Sequence, residues 1–282
     1  MAKVRRVEED PYQPPEPVQP PPLPTDEVKP WGAGWALLWG FLVFVFWSGA
    51  QGVVGGFYVV IGHGGKPEDL SAAMEALPKD GDAVGVMTFV GALVGCALIL
   101  AIVKLKGTTF ARGLGLRWPV WWAWPVSIVA TFVGLIVIGL ALSPFRQSEE
   151  VEPFMLEMIQ GTDFLVLLFL GVVVGAPLFE EFFFRGLLHE GLKQSFLGRW
   201  GAILLTAGFF AVIHLQYEDP TAFVMLFFLG LMFGWARELT GSLWIPIAMH
   251  AFNNLFATVR VYAVSEGWVP ETAVWVWWFG LG

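Results

Sequence analysis

The stretch FLVLLFLGVVVGAPLFEEFFFR, residues 164–185, determines how this chain is organised. Sixteen apolar or small residues precede two adjacent glutamates, Glu180 and Glu181, and Arg185 follows after three phenylalanines. As a helix, about twenty residues cross the ~30 Å hydrocarbon core of a bilayer. An ionisable group inside such a helix costs about 3 kcal/mol on insertion scales and marks a functional site by default. The stretch therefore predicts a membrane-spanning helix that carries functional charges.

The composition of the whole chain agrees with this prediction. Its 282 residues are 56% apolar and 14% charged, with a mean hydropathy of +0.65, whereas soluble globular chains have about 45–50% apolar and about 25% charged residues. These values exclude an ordinary soluble enzyme, and the net charge of −8 argues against nucleic acid as a partner. The single cysteine, Cys96, excludes a disulfide framework and a cysteine metal cluster. The fold class predicted is all-α, a polytopic transmembrane helical bundle in the lipid bilayer.

The chain divides into a tail and a bundle. Residues 1–30 hold nine of the nineteen prolines and predict a proline-rich, extended and solvated cytoplasmic tail, or alternatively a docking site for a proline-reading partner. Residues 31–282 form the bundle of about 7–8 spans, because a final apolar run, 273–279, is too short to cross. The seven full-length candidate spans are 33–61, 84–103, 120–142, 164–184, 201–217, 221–237 and 243–263.

The loops predict the orientation of the bundle. The connection 104–118 carries two lysines and two arginines and no acid, whereas 63–83 and 143–163 are rich in acids. Basic loops stay on the cytoplasmic side. We therefore expect the amino terminus and the even-numbered loops to be cytoplasmic.

The charged residues of the deciding stretch have different neighbours. Glu181 and Arg185 are four residues apart on one helix face and can pair, while Glu180 lies about 100° round the helix and faces elsewhere. Pro177 removes a backbone donor and is expected to distort the helix just before the pair. The alternative interpretation is a helix end at the membrane interface that carries ordinary charges.

Two other apolar segments carry polar residues that could meet this stretch. His214 closes the run after Phe210, and His250 and Asn254 share a helix face four residues apart. If the chain turns near Leu197, Glu180 and His214 are equally far from the turn and lie at equal depth. The four polar groups are then expected to converge in one layer of the bundle. No role is assigned to His63 or His189.

These glutamate, histidine and asparagine side chains together suit the hydrolysis of an amide bond. A glutamate with a histidine can polarise water as a general base, and an imidazole with a carboxamide can donate to a developing oxyanion. Glu180, His214 and His250 could instead hold zinc with water, although the chain lacks a compact His-Glu-x-x-His motif. No serine or cysteine lies in a nucleophile context. No cofactor is expected, and zinc is the less favoured alternative.

Three motifs carry a family resemblance. They are Glu180–Glu181 with Arg185, Phe210 with His214, and His250 with Asn254, and they lie within a core at about 150–263. Together they resemble the CAAX protease and bacteriocin-processing family, the intramembrane abortive-infection proteins that include CAAX prenyl endopeptidases and lysostaphin-resistance-protein-A-like proteins. Gly115–Leu116–Arg117 is similar to a segment often found ahead of this core.

The resemblance implies a membrane-embedded endopeptidase that uses no metal. In it Glu180 and His214 activate water, and His250 and Asn254 stabilise the oxyanion. Glu181 is counted with them among the catalytic residues, and Arg185 and Phe210 are the supporting residues. The substrate implied is a peptide or a prenylated protein, processed at a CAAX-type carboxyl terminus or at a leader peptide. Two alternatives from other classes stay open, a non-catalytic membrane scaffold or immunity protein and a proton-coupled transporter.

Overall fold

The protein is all-α in the part that its computed structural model describes, residues 32–62, 67–145, 153–214, 216–217 and 219–270. The predicted tail at 1–30 and the short run at 273–279 lie outside these residues. The ten helices of the described residues are α1 (Ala33–Gly62), α2 (Pro67–Ala76), α3 (Gly81–Leu105), α4 (Phe110–Gly113), α5 (Ala123–Leu142), α6 (Pro153–Gln160), α7 (Leu165–Leu192), α8 (Gly198–Val212), α9 (Pro220–Thr240) and α10 (Trp244–Ser265).

Five of these helices, α1, α3, α5, α7 and α9, are long and apolar enough to cross a membrane. The other two predicted spans correspond to α8, which has 15 residues, and to α10, which has 22 residues and carries His250, Asn253 and Asn254. The helical membrane bundle predicted from the sequence is thus confirmed, while the number of spans stays a prediction. Large apolar side chains such as Phe41 and Trp121 face outward, as expected for contact with lipid.

The central helix α7 is longer than its apolar run predicts. It continues to Leu192 rather than ending at residue 184, because Glu180, Glu181 and Arg185 are buried within the bundle and do not mark a helix end. Two stretches are π-helical, Phe169–Gly175 and Phe182–Leu188. There the main-chain N–H groups of Ala176 and His189 donate to carbonyls five residues earlier. Such π-helical turns are frequent at functional sites.

Glycines allow the helices around α7 to approach closely. A Cβ at Gly171 would strike the backbone of Gly85 on α3, and one at Gly95 would strike the Phe179 ring. On the other side of the bundle, a Cβ at Gly230 of α9 would lie 2.9 Å from Ala207 of α8. These contacts hold the charged part of α7 at the centre of the bundle.

Because the long helices alternate in direction, the bundle has two ends. The basic end contains the start of α1 and the connections 105–123, 192–198 and 240–244. The acidic end contains the described residues of three other connections, 67–81, 142–145 with 153–165, and 212–214 with 216–217 and 219–220. At the basic end the Leu243 N–H donates to the Gly115 carbonyl (2.8 Å) and the Ser242 hydroxyl donates to the Arg117 carbonyl (2.6 Å). Gly115 has φ +71° and packs against the Arg237 guanidinium, so this segment ties the basic connection to the bundle.

Candidate active site

The predicted pair on α7 is present and fully buried. Arg185 Nη1 donates to Glu181 Oε1 at 2.9 Å, and Arg185 Nη2 donates to the Gly230 carbonyl at 2.8 Å. Both side chains are 0% exposed. A buried charge pair survives only when further hydrogen bonds compensate its desolvation. The Gly230 carbonyl supplies one of them and links α7 to α9.

Three phenylalanine rings enclose the Arg185 guanidinium. Its central carbon lies 5.7, 5.2 and 5.4 Å from the ring centroids of Phe184, Phe210 and Phe233. Desolvated cation–π contacts of this kind are worth about 2 kcal/mol. Phe210, expected as a supporting residue, thus contributes directly to the environment of the cation.

His250 lies between the two glutamates. Its Nδ1 is 3.0 Å from Glu181 Oε1 and its Nε2 is 3.9 Å from Glu180 Oε2. Glu181 Oε1 also accepts from Arg185, so it acts as a carboxylate oxygen and His250 Nδ1–H is the donor. The ring stacks on Phe233 and meets Phe210 edge-on, with centroid distances of 5.1 and 5.3 Å. Glu181 therefore orients the imidazole and leaves Nε2 directed toward Glu180.

His214 lies just beyond the end of α8, in the turn after Val212, and not within the helix as the run 201–217 predicted. Its Nδ1–H donates to the Phe210 carbonyl at 2.6 Å. Since a carbonyl can only accept, this bond leaves the lone pair of a neutral His214 on Nε2. The Phe210 ring packs against both imidazoles, with centroid distances of 4.8 Å to the His214 ring and 5.3 Å to the His250 ring.

Asn254 bonds to the distorted part of α7. Its Nδ2 donates to the Val172 carbonyl at 2.9 Å, and its Oδ1 accepts from Asn253 at 3.1 Å. In the π-helical register the Ala176 N–H takes the Gly171 carbonyl, so residue 177 would take that of Val172. Pro177 has no N–H. The Asn254 amide therefore supplies the donor that Pro177 lacks, three residues before Glu180.

A cavity of about 340 Å³ brings the predicted groups together. Glu180, His214, His250 and Asn254 all line it, as the equal-depth argument predicts. Glu181 and Arg185 lie behind this wall. Glu180 Oε2 and Glu181 Oε2 are both buried without a hydrogen-bond partner among the described residues, and of these two glutamates it is Glu180 that lines the cavity. Neutral polar side chains that sequence reasoning missed also line the cavity: Gln51, Thr88, Asn253, Gln216 and Thr258.

The sequence alone could have indicated that Gln51 faces the interior of the bundle. It is a polar residue in the middle of the apolar helix α1, and such residues usually face the interior of a membrane bundle. The side chain packs over Gly91 of α3, where a Cβ would meet Gln51 Cγ at 2.7 Å. Asn253, by contrast, has no signal of its own in the sequence, because it lies next to Asn254, which belongs to a motif.

The alternative zinc set does not assemble as a metal site. Within the described ranges no three His, Cys, Asp or Glu side chains lie close enough together to hold a metal ion. Glu180, His214 and His250 line one cavity without forming such a group, and the Phe210 ring packs against both imidazoles. The zinc content of the protein stays a prediction to be measured.

A second polar cluster closes the basic end of α7, and sequence reasoning gave it no role. His189 Nε2 is 2.9 Å from Glu238, and Lys193 lies 2.9 Å from Glu190 and 3.2 Å from Glu238. Arg237 is 2.8 Å from Glu190. We call this set the basic-end ion cluster; its members are His189, Glu190, Lys193, Arg199, Arg237 and Glu238.

Comparison with known proteins shows what the segment that carries the three motifs is similar to. Residues 162–256 match the family model described as type II CAAX prenyl endopeptidase Rce1-like. An Escherichia coli relative described as an uncharacterized 24.3 kDa protein is 28% identical over 142 residues, 49% of this chain. The match covers 61% of that relative, so the chain spans about three fifths of its length. No solved structure matches the chain significantly. The segment that builds the candidate site therefore carries an Rce1-like domain, which confirms the family resemblance predicted from the three motifs.

Proposed function

We propose that this protein is an intramembrane endopeptidase that hydrolyses a peptide bond with water activated by Glu180 and His214. The observation that carries the proposal is the position of Glu180. The residue is only 9% exposed, it lines the cavity, and its Oε2 has no hydrogen-bond partner among the described residues. A general base needs this combination of restricted solvent access and a free lone pair.

In the proposed reaction, Glu180 takes a proton from a water molecule whose oxygen attacks the carbonyl carbon of the substrate. His214 supports the attack, since its Nδ1–H is held by Phe210 and its Nε2 can accept a hydrogen bond from the same water. The carbon–nitrogen bond then breaks, and the proton held by Glu180 passes to the leaving amine. The hydroxyl group of the water ends in the new carboxylic acid, and its other hydrogen ends on the leaving amine.

The negative charge on the substrate oxygen requires donors. His250 can serve if Nε2 carries a proton as well as Nδ1, which makes the ring cationic. The Glu181 carboxylate at 3.0 Å stabilises that cation. Asn254 can add its second N–H, because only one is needed for Val172. Preorganised donors of this kind are worth about 3–4 kcal/mol each in other hydrolases.

We also propose that the protein lies in the membrane with its amino terminus in the cytoplasm. The support is the concentration of lysine and arginine at the basic end, where α1 begins. The substrate is proposed to be a peptide or a lipid-modified protein segment, and the polar wall formed by Gln51 and Asn253 supports binding of a peptide main chain.

The test is peptide hydrolysis by purified full-length protein in detergent, with cleavage sites mapped by mass spectrometry. Glu180→Gln keeps the size of the side chain and removes the base, so the rate should fall by about 10²-fold or more. Glu75→Gln, on the exposed face of α2, is the matched control and should keep full activity. A Glu180→Gln protein that is folded and within a few-fold of wild type would refute the assignment and favour the scaffold alternative.

A further inference from the structure

A second cavity, of about 760 Å³, is a groove between α5, α8, α9 and α10 at the basic end. On α5 its lining residues lie between Trp122 and Ala130, and on α9 they lie between Leu231 and Thr240. At a rise of 1.5 Å per residue these segments are about 12–14 Å long. Half of the ~30 Å hydrocarbon core is about 15 Å. The groove therefore has about the depth of one leaflet of the bilayer.

The lining of the groove suits a hydrocarbon chain. Apart from two hydroxyl groups and the indole N–H groups of three tryptophans, the described side chains that line it are apolar. Both hydroxyl hydrogens are already used, because Ser127 donates to the Trp124 carbonyl at 2.8 Å and Thr240 donates to the Ala236 carbonyl at 2.7 Å. The polar groups of an extended peptide would stay unpaired in such a groove, which costs free energy.

The groove is open sideways to the bilayer. Its walls end in exposed side chains, namely Val126 on α5, Leu204 on α8 and Leu239 on α9. Its floor is formed by the buried side chains of Ile203 and Ile245. A lipid chain can therefore enter the groove from the surrounding leaflet without crossing the bundle.

The mouth of the groove has a positive charge beside it. Arg199 and Glu238 of the basic-end ion cluster precede the groove residues Trp200 and Leu239. The cluster has three cations against two carboxylates, which leaves one positive charge in excess even with a neutral His189. The Arg199 side chain is 64% exposed, more than either of the other two cations. It is therefore placed to bind the phosphate of an anionic headgroup.

From these observations we infer that the groove binds one acyl chain of an anionic membrane phospholipid, with the headgroup beside Arg199. At its deep end the chain meets Met232 and Met249. The residues that follow these methionines, Phe233 and His250, stack on each other at 5.1 Å, and His250 lines the catalytic cavity. The bound chain thus packs behind the histidine of the candidate active site. Only its effect on hydrolysis rests on the proposed function, and the binding site does not.

Native mass spectrometry of the full-length protein in detergent tests the site. The probes are phosphatidylglycerol and phosphatidylcholine with the same palmitoyl and oleoyl chains. We expect one phosphatidylglycerol to stay bound to each protein under conditions that remove other lipids. Ala130→Trp places an indole ring in the groove and should lower this retention at least tenfold. Ala141→Trp changes an exposed alanine of the same helix outside the groove, so it is the control and should retain the lipid.

Two results would overturn the binding site. One is a wild-type protein that retains no phosphatidylglycerol, or equal retention by the two tryptophan variants. The other is a lipid-free wild-type dimer that Ala130→Trp dissociates, because the groove would then hold a second copy of this chain.

Arg199→Gln tests the headgroup. One cation near the membrane surface changes the binding of an anionic lipid about fivefold. The preference for phosphatidylglycerol over phosphatidylcholine should therefore fall about fivefold in Arg199→Gln. Arg112→Gln, which changes an exposed arginine of the same end outside the ion cluster, is the control and should keep the preference. An unchanged preference in Arg199→Gln overturns the assignment of an anionic headgroup to this residue.

Peptide hydrolysis separates this inference from the proposed function. Delipidated wild-type protein should hydrolyse its peptide several-fold faster after phosphatidylglycerol is added, and Ala130→Trp should not respond. Hydrolysis that is insensitive to the lipid overturns the contact behind His250. A retained lipid with no hydrolysis of any peptide supports the lipid site and refutes the protease proposal. Hydrolysis by a protein that retains no lipid has the opposite meaning.

Discussion

Removal of the Asn254 amide should weaken the turn of α7 that carries Glu180. The Asn254→Ala variant leaves the Val172 carbonyl without the donor that Pro177 cannot supply. A buried acceptor that loses its partner costs about 1–3 kcal/mol. Because Val172 is half-buried, we expect about 1–2 kcal/mol of lost stability. Activity should fall as well, since the unsatisfied turn lies less than one helical turn from the proposed base.

A second substitution turns this expectation into a strict test. Pro177→Ala restores a backbone N–H at the position that faces the Val172 carbonyl. In that background Asn254→Ala should cost at least about 1 kcal/mol less than in the wild type, which is the coupling expected for groups that share a partner. Thermal unfolding in detergent measures the stability of the wild type, the two single variants and the double variant. Peptide hydrolysis measures kcat of the same four proteins.

The two roles considered for Asn254 give different outcomes in this cycle. If Asn254 only stabilises the oxyanion, Asn254→Ala lowers kcat equally with Pro177 and with Ala at position 177, and stability does not change. Additive stability effects would refute the argument from the π-helical register. Partial rescue of both stability and kcat would show that Asn254 acts on Glu180 through the helix backbone.

Three further predictions follow from the site. Arg185→Met leaves the Glu181 carboxylate buried without its partner, so it should lower the free energy of unfolding by about 3–5 kcal/mol and lower activity as well. Glu180→Gln leaves that pair in place, so it is the control and should lower activity alone. The reverse pattern in thermal unfolding and hydrolysis would show that the two glutamates have exchanged roles. Gln51→Leu should raise KM several-fold with little change in kcat, because the cavity loses a neutral amide that takes no part in the proposed proton transfers. An unchanged KM in steady-state kinetics would contradict this. Purified protein should contain well under one zinc per chain and keep its activity with chelators, and stoichiometric zinc by elemental analysis, required for activity, would contradict the metal-free mechanism.

Local spacing was enough to predict part of the site. Glu181 and Arg185 pair because residues four apart share a helix face, and this holds wherever the helix lies. The common depth of Glu180 and His214 follows from their equal distances to one turn, and the cavity contains both. These predictions need only helix geometry and chain connectivity. Packing between helices does not enter them.

The contacts between distant helices could not be predicted in this way. His250 bonds to Glu181, 69 residues away, because α10 and α7 are rotated so that these faces meet. Close approaches at Gly171 and Gly230 fit α7 to α3 and α9 to α8, and small residues at many positions are compatible with other rotations of the helices. His189 is a similar case. Its partner Glu238 lies 49 residues away, and from sequence alone both belong to ordinary loop ends.

The adjacency of Glu180 and Glu181 explains why one segment can serve both structure and chemistry. Neighbouring positions on a helix point about 100° apart, so one carboxylate faces the cavity and the other faces the interior. The interior carboxylate must hold Arg185 and His250 at the same oxygen, and both contacts are 3.0 Å or shorter. This leaves the cavity-facing carboxylate next to an oriented imidazole but free of the arginine. The negative charge that stabilises a cationic His250 is thus kept apart from the negative charge that takes a proton from water, although the two belong to consecutive residues.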